Sequence, residues 1–386
     1  MGPLAVARAI ELSGPDLTEA EVAAVTAVLR GRRLSLGPKL PEFERMVADY
    51  VGCRYGVAVS SGTSALHLIV RALGLGEGDE VITTPFSFVA SANCLLYERA
   101  MPRFVDIDPV TWNLDCQQVE AAITPRTRAI LGVDVFGRPA DWGRLRAIAA
   151  AHDLAAIEDS CEALGARYRF SDGGWAMAGS LGEAGCFAFY PNKQITTGEG
   201  GMIVTDREDI MRLCRSMRNQ GRDEGADWLC HARLGYNYRL SDINCALGIA
   251  QMQRVAEILA ARRRVAGWYG SMLEEVPGVE APRETPGSEI SWFVYVVRVP
   301  ACRDRRDLER VIEGLRARGV GCSNYFYPIH LQPFYRELFG YAEGDFPVTE
   351  RVSAQTIALP FYNELGQADV EWVVGALKES LRQLSL

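Results

Sequence analysis

A single lysine, Lys193, lies in the segment FYPNKQITTGEGG, residues 189–201, between a predicted strand and a glycine-rich turn. Gly-Glu-Gly-Gly is incompatible with a regular helix or strand over residues 198–201. Lysine usually occupies a solvated surface, whereas a lysine held in a pocket loses its proton more readily and attacks carbonyl carbons. The segment makes Lys193 a candidate nucleophile, and a surface lysine is the alternative.

Two further segments carry residues suited to binding a ligand. SSGTSALHL, residues 60–68, predicts a strand end followed by a helix, whose N-terminal N–H groups attract anions such as phosphate. LAAIEDSCEALGA, residues 154–166, predicts a buried strand that ends in Glu158 and Asp159, with Glu162 following. Each segment also has a purely structural interpretation, because Ser, Thr and Asp cap helices without any ligand.

Taken in chain order, the three segments provide the groups that hold pyridoxal 5'-phosphate (PLP). A helix N-terminus fixes the phosphate, an acid keeps the pyridine nitrogen protonated, and a lysine forms the Schiff base. Phe88, in TTPFSFVASAN, follows another predicted strand and is placed to cover the ring. The residues therefore predict a PLP site in one α/β domain.

Short apolar runs alternate with helical stretches over residues 55–205, which predicts an α/β fold with a mainly parallel sheet flanked by helices. The helical stretch 241–276 is too long for one globular helix and is expected to span a domain junction. A Pro/Gly-rich hinge, a strand over ISWFVYVVRVP and a helix over DLERVIEGLRARGV follow. We expect an N-terminal arm and large PLP-binding domain over 1–258 and a small C-terminal α/β domain over 259–386.

Charge and composition exclude several classes of protein. The 41 basic and 49 acidic residues give a formal charge of −8, which is unlike a nucleic-acid-binding protein. No apolar run suits a signal peptide or a membrane span, so a cytoplasmic location without membrane association is expected. The ten cysteines are scattered without a C-x-x-C pair, which argues against a disulfide framework or a zinc site, and no metal is expected.

Motifs along nearly the whole chain resemble those of the DegT/StrS-type sugar aminotransferases, which are fold type I PLP-dependent enzymes. The similar segments occur in the same order and at the family's spacing: RRLSLGPKLPEFE, SSGTSALHL, TTPFSFVASAN, FVDID, FGRPAD, IEDSCEALGA, FYPNKQITTGEGGMIVTD, GYNYRLSDINCALGIAQ, YPIHLQPFY, FPVTE and ALPFYNEL. SGTSAL or FGRPAD alone is a weak signal, whereas the ordered set is specific.

The resemblance implies roles for individual residues. Lys193 would be the Schiff-base lysine and Asp159 the partner of the pyridine nitrogen. The other implied cofactor contacts are Gly62, Thr63 and Ser64 to the phosphate, Phe88 to the ring, Glu162 beside the phenolic oxygen, and Asn237 to the phosphate of a neighbouring subunit. A homodimer with shared active sites would follow. Position in matching segments proposes as substrate contacts Lys39, Asp134, Tyr236, Arg239, Tyr325 and His330.

Some of these assignments have structural alternatives. Asn237 and Arg239 would equally suit a polar turn before a helix, and His330 a packed loop histidine. Three residues depart from the family pattern: Ala188 replaces a common Ser near the phosphate, Asp134 replaces a common His, and Glu162 stands where Gln or His is common. An ionised Glu162 would repel a phenolate unless it were protonated or paired.

The resemblance implies amino transfer from a donor, expected to be L-glutamate, which leaves as 2-oxoglutarate. The expected acceptor is a nucleotide-linked 3- or 4-keto hexose. A PLP-dependent sugar dehydratase is one alternative, although such relatives use His in place of the lysine. A non-enzymatic regulator or binding protein on the same fold is another. A dinucleotide-binding oxidoreductase is disfavoured because no G-x-G-x-x-G follows a predicted strand.

Overall fold

A computed structural model of the chain describes residues 9–225 and 227–382. Its α-helices are α1 Glu19–Leu29, α2 Lys39–Val51, α3 Gly62–Ala72, α4 Ala90–Leu96, α5 Cys116–Ala122, α6 Trp142–Ala151, α7 Glu208–Arg218, α8 Asp242–Gln253, α9 Val255–Leu273, α10 Arg305–Arg316, α11 Pro333–Phe339, α12 Pro347–Ser353 and α13 Gln367–Arg382. Its strands are β1 Tyr55–Val59, β2 Glu80–Thr83, β3 Met101–Phe104, β4 Thr127–Val133, β5 Ala155–Asp159, β6 Arg167–Arg169, β7 Trp175–Met177, β8 Ala184–Ala188, β9 Gly201–Thr205, β10 Ser288–Glu289, β11 Tyr295–Arg298 and β12 Thr356–Leu359.

A seven-stranded sheet in the order β1-β9-β8-β5-β4-β2-β3 forms the centre of the large domain. β9 runs antiparallel to both of its neighbours, whereas the other pairings are parallel. Buried apolar side chains cover both faces of the sheet, as the continuous apolar runs in the sequence predict. The predicted α/β fold with a mainly parallel sheet is confirmed. None of the described helices is long and apolar enough to cross a membrane.

The long helical stretch is interrupted, as expected, at Arg254 between α8 and α9. Its backbone leaves the helical region (φ −107°, ψ 7°), and its guanidinium lies 3.0 Å from both Asp16 and Glu21. This corner turns α9 away from α8 and towards the C-terminal part of the chain. The ion pairs also fix the segment before α1 against the start of α9.

A small sheet of β6, β7 and β10 was not predicted from the sequence. β6 and β7 form a three-residue antiparallel hairpin, and β10 adds two residues to its edge. Strands this short carry too few side chains to show an alternating pattern. The predicted strand over ISWFVYVVRVP is also shorter than expected, since only Tyr295–Arg298 pairs with β12.

The small C-terminal domain packs α9, α10 and α13 against the β11–β12 pair around a separate apolar core. Ile10 belongs to that core, and its N–H donates to the carbonyl of Gly319 at 2.8 Å. The N–H of Phe361 donates to the carbonyl of Leu12 at 2.9 Å. Residues 10–12, expected to belong with the large domain, therefore pack with the small one. The boundary at residues 258 and 259 falls inside α9 and stays a prediction.

Asp106, which follows β3, fastens the two domains by capping a helix of the small domain. Its carboxylate accepts hydrogen bonds from the N–H groups of Val348 and Thr349, both at 2.9 Å, and from the Thr349 hydroxyl at 2.7 Å. A buried carboxylate at a helix N-terminus is favoured by the helix dipole. The contact holds α12 against the carboxyl edge of the large sheet.

Candidate active site

A cavity of about 590 Å³ opens at the carboxyl edge of the large sheet. Its wall is formed where β1, β2, β4, β5 and β8 end, by residues that include Ser61, Ser87, Val133, Asp159 and Ala188. Parallel strands bring their carboxyl ends to one edge, so segments far apart in sequence meet there. The volume lies within the range of small-molecule sites in proteins.

Lys193 enters this cavity from the irregular loop after β8. Its Nζ lies 3.4 Å from Glu162 Oε1 and 4.1 Å from the ring centre of Phe293, and its side chain is 13% exposed. Its backbone carbonyl accepts a hydrogen bond of 2.9 Å from Arg262 of α9. Lys193 is therefore a shielded amine with one carboxylate partner, which excludes the surface-lysine alternative.

Asp159 ends β5 and is buried in the wall of the same cavity. Ser91 of α4 donates a hydrogen bond of 2.6 Å to Oδ2, and the N–H of Cys161 donates to Oδ1 at 3.1 Å. No helix begins at the residues that follow Asp159, so the capping alternative is wrong. Two donors fix the orientation of a carboxylate that faces the cavity.

Glu162 links Lys193 to the FGRPAD segment. Its Oε2 accepts the backbone N–H of Phe136 at 2.9 Å, while Oε1 faces the lysine. Burial raises the pKa of Glu162, and the neighbouring Lys193 opposes that rise. Glu162 can therefore be protonated or paired with Lys193. Either state would reduce its repulsion of a phenolate.

The N-terminus of α3 points into the cavity through Ser61, Gly62 and Thr63. Ser61 caps the helix by accepting the N–H of Ser64 at 3.0 Å. The Ser64 hydroxyl bonds to Ser60 and Ser61 instead of facing the cavity, at 3.0 and 2.9 Å. The sequence predicts Ser64 as a phosphate contact. Among the described residues, Ser61 lines the cavity and Ser64 does not.

Gly62 leaves no room for a side chain between α3 and the strand ends. A Cβ there would lie 2.7 Å from Cys161 Sγ and 2.8 Å from the Cβ of Ala188. The first N–H groups of a helix lack intrahelical partners, so α3 offers donors to an anion at this point. The cavity thus combines the anion-binding N-terminus of α3, the oriented carboxylate of Asp159 and the shielded amine of Lys193. This donor set fits PLP.

Aromatic side chains surround the mouth of the cavity. Phe88 lines it and is 60% exposed. Tyr325 also lines it, and burial raises the pKa of its phenol. Both positions agree with the sequence-based expectation that these residues face a ligand.

Other predicted site residues lie outside the cavity. The Nζ of Lys39 pairs with Glu42 at 2.7 Å, Arg239 donates to the side-chain oxygen of Asn219 at 3.1 Å, and Asn237 is exposed. Tyr236 donates a hydrogen bond of 3.1 Å to Glu98. Within one chain, these four residues do not reach the other site residues.

His330 is fully buried and lies outside the cavity lining. Its Nε2 lies 3.0 Å from Glu350 Oε1, and its ring packs against Phe346 at 4.7 Å between centres. His330 is therefore a packed histidine, as the structural alternative predicts, and not the substrate contact that its motif suggests. The sequence motif YPIHLQP reflects packing at this position.

Asp134 is also fully buried and belongs to a proton-sharing network below the cavity. It accepts hydrogen bonds from the N–H of Ala140 at 2.9 Å and the indole of Trp142 at 2.8 Å. The Ser160 hydroxyl lies 2.6 Å from Asp134 Oδ2 and 2.8 Å from Glu158 Oε1. One hydroxyl hydrogen cannot serve two acceptors, so one carboxyl must carry a proton. Burial raises the pKa of Asp134 to about 6, and burial and the Asp134 charge raise the pKa of Glu158 well above its usual range.

Sequence reasoning missed three residues that position the site. Ser91 lies in the first turn of α4, and no local pattern indicates that its hydroxyl reaches Asp159. The sequence predicts Phe293 only as a core residue of a strand. Arg262 is one of three consecutive arginines, and only tertiary packing distinguishes the buried one.

Comparison with known proteins agrees with this site. The DegT/DnrJ/EryC1/StrS aminotransferase family matches residues 15–378. GDP-perosamine synthase of Caulobacter vibrioides is 40% identical over 349 residues, covering 90% of this chain and 91% of that protein. Among solved structures, DesV of S. venezuelae is similar with a TM-score of 0.86 at 34% identity, over 93% of both chains. The sugar aminotransferase Spr1654 of Streptococcus pneumoniae, solved with PLP, gives 0.91 at 26% identity, over 98% of this chain and 100% of that one.

The chain belongs to the DegT/DnrJ/EryC1/StrS aminotransferase family. It is a PLP-dependent aminotransferase of fold type I, and its relatives place it among the sugar aminotransferases of amino sugar biosynthesis.

Replacing Glu162 separates its hydrogen bond from its charge. Glu162→Gln retains an oxygen that accepts the Phe136 N–H, so we expect the cofactor-free protein to lose less than about 1 kcal/mol of stability. Glu162→Ala leaves a buried N–H unpaired and should cost about 1–3 kcal/mol. Urea denaturation of the two variants checks this, and equal losses would show that the Phe136 hydrogen bond is unimportant.

The raised pKa of Asp134 predicts a pH-dependent stability. Its folded pKa of about 6 exceeds the unfolded value, so the folded state binds more protons between about pH 4 and 6 and stability falls as pH rises through that interval. Asp134→Asn removes this term, and its stability relative to wild type should rise by up to about 3 kcal/mol between pH 4 and 7. Thermal unfolding across this range measures it, with the exposed variant Asp49→Asn as control. A difference that does not vary with pH would contradict the assignment.

Proposed function

We propose that this member of the DegT/DnrJ/EryC1/StrS aminotransferase family transfers an amino group from L-glutamate to a nucleotide-linked 3- or 4-keto hexose, as a homodimer with shared active sites. The observation that carries the amino transfer is the meeting of the Lys193 amine, the Asp159 carboxylate and the α3 N-terminus in one cavity. The remaining parts of the proposal rest on the residues around that cavity and on the relatives.

The residues of this chain divide the work of holding the cofactor. Gly62 and Thr63 offer N–H groups to the phosphate, with Ser61 beside them, and Phe88 covers the ring at the mouth. Asp159, oriented by Ser91, keeps a proton on the pyridine nitrogen. Lys193 holds the cofactor covalently through Nζ. Ala188 contributes no hydroxyl, so Ser61 and Thr63 are the hydroxyl-bearing residues beside the phosphate in the cavity wall.

PLP, when bound, supplies a carbonyl group that accepts an amino group and a ring that withdraws electrons from the carbon losing its proton. With PLP and an amino donor bound, the Nζ of Lys193 would take the proton from the donor's α-carbon. Phe293, against the amine, excludes water from that side, and Arg262 fixes the lysine backbone. Glu162 accepts or returns a proton beside Nζ as the charge of the lysine changes.

A sugar acceptor is supported by the chemistry at the mouth of the cavity. Tyr190, Asn192 and Tyr325 line it with groups that donate and accept hydrogen bonds, and Phe88 adds an apolar face. Hydroxyl-rich ligands are recognised by such a mixture. The 40% identical relative is a GDP-perosamine synthase, which favours a nucleotide-linked hexose over other keto compounds.

Shared active sites are supported by residues that lie at the surface of one chain. Asn237 is exposed and outside the cavity, and Trp228, Leu229 and Leu234 are 66%, 80% and 67% exposed in the loop before it. Adjacent exposed large apolar side chains mark an interaction surface. A second copy of the chain would cover this loop, and Asn237 would contact the cofactor phosphate bound in that second copy.

The dehydratase and regulator alternatives are less well supported. Lys193 is present where those dehydratases carry His, and its amine lies in the cavity opposite a paired carboxylate. A regulator would not need Lys193 and Asp159 to share a shielded site.

The decisive test is the absorption spectrum of the PLP-loaded protein with L-glutamate as the sole substrate. The visible band of the lysine-bound cofactor should give way to that of pyridoxamine phosphate and return when a keto-sugar acceptor is added. Lys193→Ala should not form the initial band and should lose at least about 100-fold in amino transfer. The sequence has two other lysines, Lys39 and Lys378, and Lys378→Ala on α13 serves as the matched control.

Three results would change the proposal. Absence of any band with PLP supplied would overturn cofactor binding at Lys193. A band that ignores glutamate would point to another donor or to dehydration. Borohydride reduction followed by peptide mapping should place the cofactor on Lys193, and a label on Lys378 would contradict the site itself.

Mixing inactive variants tests the shared site. If Asn237 serves the neighbouring subunit, equal amounts of Lys193→Ala and Asn237→Ala chains should form hybrids with one intact site, restoring about a quarter of the sites. Lys193→Ala mixed with Asp159→Ala is the control, because both residues line one cavity of one chain. This second mixture should stay inactive. Equal recovery in both mixtures would contradict the predicted division between subunits.

A further inference from the structure

Two cysteines and Asp159 converge in the wall of the cavity. Cys161 follows β5 and Cys186 lies on the adjacent β8, and their sulfur atoms are 3.6 Å apart. Cys186 Sγ lies 3.8 Å from Asp159 Oδ1, and the three ligand atoms are all within 4.8 Å of one another. The sequence separates the two cysteines by 24 residues, so no spacing motif announces the cluster.

The distances match a tetrahedral metal site. Sulfur atoms bound at about 2.3 Å to one Zn²⁺ lie about 3.7 Å apart when the angle is tetrahedral, and a carboxylate oxygen lies about 3.5 Å from each sulfur. The observed separations of 3.6 and 3.8 Å differ from these values by a few tenths of an ångström. Two thiolates and a carboxylate are ligands that Zn²⁺ accepts. Small side-chain rotations would complete the geometry.

The surroundings of the cluster favour one open metal position. Cys161 and Asp159 line the cavity, whereas Cys186 is fully buried behind them. Ser91 donates to Asp159 Oδ2, whereas Oδ1, which accepts the N–H of Cys161, is the oxygen that faces Cys186 Sγ. A cation would therefore enter from the cavity and keep its fourth position on the cavity side.

Both thiols are protonated in the absence of a cation. The contact with Cys186 lowers the pKa of Cys161, but burial and the Asp159 charge together raise it to about 11, and burial also raises the pKa of Cys186. Protonated thiols react slowly with oxidants, so a disulfide between them is disfavoured. A bound cation deprotonates its thiol ligands outright, and two protons leave to solvent for each ion bound.

We propose that Asp159, Cys161 and Cys186 bind one thiophilic divalent cation, of which Zn²⁺ is the natural probe, and that the cation and PLP exclude each other. The exclusion rests on the proposed role of Asp159 in holding the cofactor, whereas the ion binding does not. Such an ion would prevent the cofactor-free protein from taking up PLP, because it occupies the Asp159 carboxylate and the cavity wall. The cluster is then an inhibitory metal site built into the cofactor seat.

The test uses the full chain freed of cofactor and metal. Calorimetric titration with Zn²⁺ should show one ion per chain, and Co²⁺ should give the intense near-ultraviolet band of thiolate coordination. Cys161→Ala and Cys186→Ala should each weaken Zn²⁺ binding at least 10-fold and remove or reduce the Co²⁺ band. Cys214→Ala on α7 is the matched control, because this buried thiol donates to the carbonyl of Leu68 and lies outside the cluster and the cavity lining.

The competition is measured by repeating the Zn²⁺ titration on the PLP-loaded protein, where we expect at least 10-fold weaker binding. Wild-type protein that binds no Zn²⁺, or a Co²⁺ complex without a thiolate band, would overturn the metal site even if a cysteine variant failed to fold. Zn²⁺ binding that both cysteine variants retain would also overturn it. Tight Zn²⁺ binding unaffected by PLP would overturn the exclusion and leave the metal site standing. Amino transfer by the loaded enzyme is not a readout in any of these arms.

Discussion

The end of β5 imposes the constraint on which the site depends, because successive side chains of a strand point to opposite faces. Asp159 faces the cavity, whereas Glu158 turns into the protein and accepts N–H groups from the turn at residues 179–182. That turn leads directly into β8, and the loop after β8 carries Lys193. One buried carboxylate therefore sets the path of the strand that delivers the amine to its neighbour. The proton held between Glu158 and Asp134 keeps this arrangement from accumulating two charges in the core.

The small domain is part of the site rather than a separate support. Arg262, which is 2% exposed, donates to the carbonyls of Lys193 and Phe293 at 2.9 and 3.1 Å, and burial lowers its pKa to about 10. A buried cation needs partners, and these two carbonyls come from the loop and from the segment that shields the amine. The loop that carries Lys193 is thus held between β8 of the large sheet and α9 of the small domain. Asp106 secures the same junction from the opposite side.

Local patterns were sufficient to predict the mainly parallel sheet, an interruption somewhere in the helical stretch 241–276, and the candidates Lys193 and Asp159, since each rests on periodicity, length or a contiguous motif. The structure brings Lys193, Asp159, Glu162 and the start of α3 together, as expected. Ser64, His330 and Asp134 show the limit of such reasoning. Their motifs are correct, but the direction of a side chain depends on what packs around it. Arg262, Phe293 and the pair Cys161 and Cys186 were invisible because their partners lie on other elements.

The pairing of residues 10–12 with the small domain has a topological consequence. The chain starts the small domain, leaves to build the entire seven-stranded sheet, and then returns to complete it. The large domain is in effect an insertion between two pieces of the small one. A single backbone cleavage at residues 277–289 would therefore not release two independent fragments, because residues 10–12 and α9 before the cut pack with the part of the small domain that follows it. Force applied between residue 10 and α13 would act first on the small-domain core, since both pack in it.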